Sequence, residues 1–330
     1  MSLLVRTLGI LAAVFLLFPT SARGDDCAEV GRTFSQWFLS GEVEKLWERL
    51  SPPMKEAVRG VEGLKAMSSQ VSDQAGRQIE VLSETCEPNG SYQTYTRLSR
   101  FERRPGSITI QWTWDAKGAV VGGFVRPTPE PAPSPFLSYQ TKTKLRLPFL
   151  GEWYVFWGGR TLQENYHVIA RDQRFAYDFL QMRQGVSHAG DGKANEQYYC
   201  FGQAILAPGA GTVVAAVDSL PDNKPGTRDP SHPFGNHVIV SHGNGEFSVL
   251  AHLQRGSVRV HGGQTLAAGD TLGLCGNSGN SSEPHLHFHL QNKVETGSSD
   301  GLPAFFADYT ANGAAVSRGE PKRGQTVAPR

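Results

Sequence analysis

Pro284, His285, Leu286, His287, Phe288 and His289 set three imidazoles at alternate positions between apolar side chains. On a strand, residues two apart share a face and lie ~7 Å apart, so the histidines line one surface while Leu286 and Phe288 turn into a core. One histidine there would read as an exposed polar face; three in five residues suit metal binding. A hydrolytic zinc site takes about three protein ligands and an open position for water, with histidine and carboxylate as typical donors. The HxH pair cannot supply that alone. Upstream, His252 closes the run Val249, Leu250, Ala251, while His167 follows Tyr166 and Asp178 interrupts the apolar stretch Phe175 to Phe179. An unpaired charge in such a stretch is costly. An ion pair from Asp178 to Arg171 or Arg174 is the alternative to metal ligation.

Other hydrolase patterns are absent or incomplete. The chain holds no HExxH and no GxxxxGK, which removes a helix-borne zincin site and a nucleotide loop. Gly276, Asn277, Ser278, Gly279, Asn280 resembles a serine-protease nucleophile segment with His252 as its base, but about twenty-five residues between them leave no room for two barrels. Gly276 to Gly279 instead reads as a tight turn feeding the histidine strand. Lys+Arg 32 against Asp+Glu 31 leaves a net charge of +1, so no chain-wide field favours nucleic acid or an anionic membrane. Recognition must come from a local site.

The elements that position these residues divide at the alternating prolines Pro127, Pro129, Pro131, Pro133 and Pro135, which favour an extended spacer. Residues 127–137 are therefore expected as a linker. Before it, apolar residues at helical spacing predict helices over 28–39, 43–50 and 61–70, and alternation predicts strands over 79–83, 92–101, 108–114 and 120–125. Helices followed by a meander imply an α+β domain over 25–126. After the linker, Gly-rich turns separate short Val/Ile/Leu strands, the pattern of a mainly antiparallel sandwich or open barrel over 138–310. Residues 311–330 carry Gly, Pro, Arg and Lys with little to bury and read as a disordered tail. The stretch from Asp218 to Pro233, rich in proline and charge, reads as a long loop that could border a groove.

Arg6, the apolar run Leu8 to Phe18 and the small residues to Gly24 read as a secretory signal peptide over 1–24, and hence an exported protein, periplasmic or extracellular. No later segment approaches the ~20 apolar residues of a membrane span. Gly24, Asp25 and Asp26 before Cys27 are not the context of a lipidated cysteine. Four cysteines in an exported chain suggest disulfides, with Cys27 to Cys86 and Cys200 to Cys275 as the economical pairing. Any of them could equally be a buried thiol.

Several ordered motifs together resemble the lysostaphin-type zinc endopeptidases, over roughly 139–309. They are Leu206 to Val214; Gly235, Asn236, His237, Val238; Leu250, Ala251, His252, Leu253; and Gly276 to Gly279 running into Pro284 to Phe288. The resemblance implies Zn2+ held by His167, Asp178 and His287, with His252 and His285 as catalytic groups flanking the open position. One imidazole would take a proton from water and one would stabilise an oxyanion. It also implies peptidoglycan peptides as substrate. The chain departs from the commonest pattern: ten residues stand between His167 and Asp178, where the family usually has three between the two ligands, and Leu250 and Glu283 replace a frequent tyrosine and glycine. The first half more loosely resembles nuclear-transport-factor and cystatin-like α+β domains, on element order. The rival readings are a non-catalytic cell-wall-binding module or activator, and a structural zinc site recruiting Cys200 or Cys275. His289 could support His287 from behind, or make an ordinary polar contact; His237 and His242 should pack or cap, and His188, His232 and His261 fall in expected loops.

Overall fold

The computed structural model describes residues 23–330, and most of the expected signal peptide lies outside them. Two compact units meet at Thr128 and Pro129. The first opens with helices α1 (Arg23–Ser40), α2 (Val43–Arg49), α3 (Pro52–Ala57) and α4 (Gly60–Ala75). α3 escapes a periodicity reading because six residues are too few to establish one, yet its two prolines suit a first turn whose N–H groups have no partner anyway. An antiparallel meander follows: β1 (Gln78–Asn89), β2 (Tyr92–Phe101), β3 (Arg104–Trp114) and β4 (Val120–Pro127), in the order 1-2-3-4. Alternation in β3 sends Ile108, Ile110, Trp112 and Trp114 inward, where they meet Phe34, Phe38 and Leu46 of the helices. Cys27 and Cys86 are joined as expected, tying α1 to β1.

The second unit is built on an open, mainly antiparallel sheet. Its strands are β5 (Trp153–Trp157), β6 (Tyr177–Leu180), β7 (Ala204–Leu206), β8 (Gly211–Val217), β9 (Asn236–Ser241), β10 (Phe247–Leu253), β11 (Thr265–Leu266), β12 (Thr271–Leu274), β13 (Leu286–Gln291), β14 (Gly301–Leu302), β15 (Phe306–Ala311), β16 (Ala314–Gly319) and β17 (Thr326–Pro329). The main sheet runs β11-β8-β9-β10-β13-β6-β5-β17-β15-β16, with β14 added beside β13 and a separate β12-β7 pair. Its two ends do not pair with each other, so it is not a closed barrel. β13 lies near the middle, with β10 on one side and β6 on the other. Leu286, Phe288 and Leu290 enter the large core with Phe179, Phe306 and Leu250. The opposite face of the same strand carries the histidines.

Three expectations change. The tail is ordered: β17 pairs with β15 and β5, and Val327 is fully buried. Composition misleads here because pairing on both sides, to β5 and β15, holds β17 inside the sheet with a single large apolar side chain to bury. The proline segment is no free spacer, since the Ala132 N–H donates to the Val168 carbonyl at 2.7 Å and Arg174 Nε donates to the Ala132 carbonyl at 3.1 Å. Cys200 and Cys275 are unbridged buried thiols, and Cys200 Sγ donates to the Pro284 carbonyl at 3.0 Å.

Candidate metal centre and catalytic cleft

Strand register brings two of the residues together. Asp178 on β6 stands directly across from His287 on β13, and the Asp178 Oδ1 to His287 Nδ1 distance is 3.0 Å. His167 arrives from a short 3-10 turn, Tyr166–Ile169, with its Nε2 3.6 Å from Asp178 Oδ2. His167, Asp178 and His287 are all buried, and each offers one donor atom within 4.8 Å of the others. Arg171 pairs instead with Asp300, and Arg174 donates to backbone carbonyls of Ala132 and Arg160. Neither arginine neutralises Asp178.

The hydrogen-bond partners assign the imidazole protons. Asn165 Nδ2 donates to the Gly159 and Ala176 carbonyls, which turns its Oδ1 toward His167 Nδ1 at 2.9 Å. That oxygen can only accept, so His167 carries its proton on Nδ1 and aims the Nε2 lone pair at Asp178. Behind His287 a longer chain does the same. Gln291 Nε2 donates to the carbonyls of Lys293 and Val294, so its Oε1 accepts from Ser299 Oγ and from His289 Nε2. His289 Nδ1 is then left to accept from His287 Nε2 at 3.0 Å. His287 Nδ1 therefore also presents a lone pair to the carboxylate.

Burial pushes the His167 imidazole down to about 3 against the pull of Asp178, so it is neutral at ordinary pH. Burial alone would raise the Asp178 carboxyl; positive charge or N–H donors at the imidazole positions around it draw it below the usual carboxylate range, and the tautomers above leave that charge to a bound cation. An anion thus faces imidazole lone pairs with its oxygens, in a buried place. A shared cation resolves that conflict, and the donor set of two imidazoles and a carboxylate fits Zn2+. Cys200 and Cys275 do not belong to this group of donors, which removes the observation that favoured a four-ligand structural site.

His252 and His285 stand beside the cluster with ring centroids 4.7 Å apart. His252 has φ +62°, at a register shift between Leu250 and Leu253 where β10 leaves the ladder. Such a bulge re-aims a side chain, and the Phe234 carbonyl accepts the His252 N–H at 3.0 Å to hold it there. His252 Nδ1 donates to the Ser278 carbonyl at 2.8 Å, leaving Nε2 as an acceptor; burial, with His285 and His287, holds the ring neutral. His285 Nδ1 donates to the Glu283 carbonyl at 2.8 Å, and its Nε2 lies 3.6 Å from Asp178 Oδ1. The turn that supplies the Ser278 carbonyl depends on Gly279: with φ +76°, a Cβ there would sit 2.3 Å from the Gly235 nitrogen.

All five residues singled out from sequence thus converge. Sequence reasoning missed Asn165, Gln291 and Ser299, whose work lies in the orientation of their amides and hydroxyl; the only signal was that Asn165 stands two residues before His167. His289 has a definite place behind His287. His237 Nδ1 meets the Gly235 carbonyl, and His242 bridges the Ala210 carbonyl and Ser248 Oγ, so both make structural contacts.

The profile of peptidase family M23 matches residues 197–298, which include His252, His285 and His287 but neither His167 nor Asp178. The peptidoglycan DD-endopeptidase ShyA of Vibrio cholerae is 39% identical over 61 residues, 18% of this chain and 14% of its own length. The cell division protein DipM of Caulobacter vibrioides is 32% identical over 90 residues, 27% of this chain and 13% of its own. This chain therefore spans only a small part of those relatives. The lysostaphin catalytic domain from Staphylococcus simulans aligns over 46% of this chain and 88% of its own, at 21% identity and a TM-score of 0.28. Residues 197–298 of the second unit thus match peptidase family M23, and the relatives named support a likeness to the lysostaphin-type metallopeptidases.

Proposed function

We propose that the protein is an exported zinc-dependent endopeptidase acting on peptide bonds of bacterial peptidoglycan, with His167, Asp178 and His287 as metal ligands and His252 and His285 as catalytic groups. The observation that carries this reading is the buried Asp178 carboxylate facing imidazole lone pairs, with two further histidines at its open side. Bound there, zinc would supply Lewis acidity toward a water and a scissile carbonyl. His252, neutral and donating from Nδ1, uses Nε2 to take the proton of the attacking water and returns it to the leaving amine. His285 is the second imidazole at the open side, the position from which an N–H would stabilise the oxygen that gains charge. The peptidoglycan substrate rests on the names of the relatives. Export is supported by the apolar N-terminal run and by the Cys27–Cys86 disulfide, a bond that persists in oxidising compartments.

The test is incubation of the zinc-loaded full chain and its His252→Ala variant with purified peptidoglycan, followed by mass analysis of released fragments. New amino termini from the parent, strongly reduced in the variant, are expected. Zinc binding with no fragment from either would contradict the peptidase reading and favour a binding or activating module.

A further inference from the structure

Next to the catalytic histidines lies a cleft of about 430 Å³. Phe156, Trp157 and Tyr166 give it an aromatic lining, and Arg228, Ser282 and Glu283 give it a polar one. Arg228 comes from the long loop after β8, which the structure turns from a surface excursion into a built part of the cleft. The loop runs beside the turn that leads into His285: the Asn223 N–H donates to the Asn277 carbonyl at 2.9 Å, Gly226 to Ser282 at 2.8 Å, and Asp229 to Gly279 at 2.9 Å. Asp222 Oδ1 accepts from the Asn277 N–H at 2.7 Å, and Asn223 Nδ2 donates to the carbonyls of Gly279 and Ser281. These bonds on both sides of Arg228 fix where its backbone stands.

The charges in the cleft are few. Asp178 belongs to the metal centre, and Glu283 accepts a hydrogen bond from Ser187 Oγ at 3.0 Å. Among the described residues Arg228 is the one arginine or lysine lining the cleft, and the close pair there, His285 with Asp178, does not engage it. It is exposed, and its guanidinium touches only Ser282 Oγ, at 3.2 Å. A guanidinium has five N–H donors in a planar fork that matches a carboxylate, so most of its donors here remain available to a ligand.

We propose that Arg228 binds a substrate carboxylate beside the scissile bond, making the cleft selective for acidic peptides over their amidated counterparts. This rests on the peptidase reading and adds the chemical class of the substrate. The fork holds the carboxylate, the aromatic side chains cover the apolar parts of the peptide, and the Glu283 charge keeps an anion from binding on its own side. A charge-assisted hydrogen bond of this kind corresponds to about a 10- to 100-fold preference.

The experiment uses the zinc-loaded full chain and pairs of synthetic peptides identical except for one carboxylate or carboxamide, measuring both binding and kcat/KM. The acid-to-amide ratio should be about 10 to 100 for the parent, about 1 for Arg228→Gln, and intermediate for Arg228→Lys, which keeps the charge but loses the fork. A ratio near 1 in the parent, or one that survives Arg228→Gln, would overturn the assignment. Binding with the stated ratio but cleavage of neither peptide would sustain the Arg228 assignment and sink the peptidase reading; cleavage of both at equal rates would do the reverse.

Discussion

Each unit of the molecule surrounds a carboxylate with hydrogen-bonding side chains, partly buried in the first and buried in the second, and the two are solved in opposite ways. Glu84 on β1 receives the hydroxyl of Tyr95 and the guanidinium groups of Arg97, at 2.9 Å, and Arg32, at 2.8 Å. Burial would raise its carboxyl, but those donors outweigh burial and hold it at about 2. Every partner of Glu84 brings a proton, and two bring permanent positive charge. Asp178 has neither: its neighbours are imidazoles whose protons are engaged elsewhere, by Asn165, by His289 and by the Glu283 carbonyl. A carboxylate supplied with donors is a finished structural pair. One supplied with lone pairs is left for a cation to complete, which is what the proposed reading places there.

Removing the anion should produce the largest effect. Asp178→Asn is expected to lose bound zinc and to reduce peptide cleavage to background, read by metal analysis and fragment release; a variant that kept both would place the chemistry elsewhere. His252→Ala separates metal from catalysis: zinc should stay, while kcat falls by about 10²- to 10⁴-fold. Loss of zinc in that variant would make His252 a ligand rather than a base.

The chain behind His287 sharpens the contrast further. His289→Leu removes the acceptor for His287 Nε2–H, and zinc affinity measured against a chelator should weaken by about 10- to 100-fold. His289→Gln, whose amide oxygen can accept the same proton, should recover part of that loss; equal affinity in all three proteins would show that His289 only fills space.

The smallest effect belongs to Glu84. Its folded value of about 2 lies below the ordinary ~4.3. Its contribution is therefore complete above ~4.3 and is lost as pH falls toward 2. Hydrogen exchange of the β2 amides in the full chain should accelerate across that window, and Glu84→Gln should flatten the dependence. An unchanged profile would mean that the ion pairs on this sheet carry no net stability.

The legible parts of this molecule are those that periodicity or residue type encodes directly. Alternation in β3 and in β13 gives both the strand and the face, so the Ile108 to Trp114 core and the His285, His287, His289 ladder are visible before any coordinates. Asp178 announces itself as a charge inside an apolar strand. His167 is harder, because a 3-10 turn and the Asn165 amide, rather than strand register, bring it to the carboxylate. The left-handed backbone of His252 is invisible for the same reason: it follows from a bulge in pairing, which composition does not record. Pairing also explains the ordered β16 and β17, whose sequence carries no leucine, isoleucine or aromatic residue but whose backbone completes the sheet beside β5 and β15. The unbridged Cys200 and Cys275 mark the limit of counting cysteines, since proximity within one unit does not oblige two thiols to join.

The most direct test of the central claim is the metal content of the purified full chain beside Asp178→Asn and Glu84→Gln. About one zinc per chain in the parent and in Glu84→Gln, with none in Asp178→Asn, is the predicted result. Equal zinc in all three, or none in the parent after zinc is supplied, would contradict the assignment of His167, Asp178 and His287 as a metal centre.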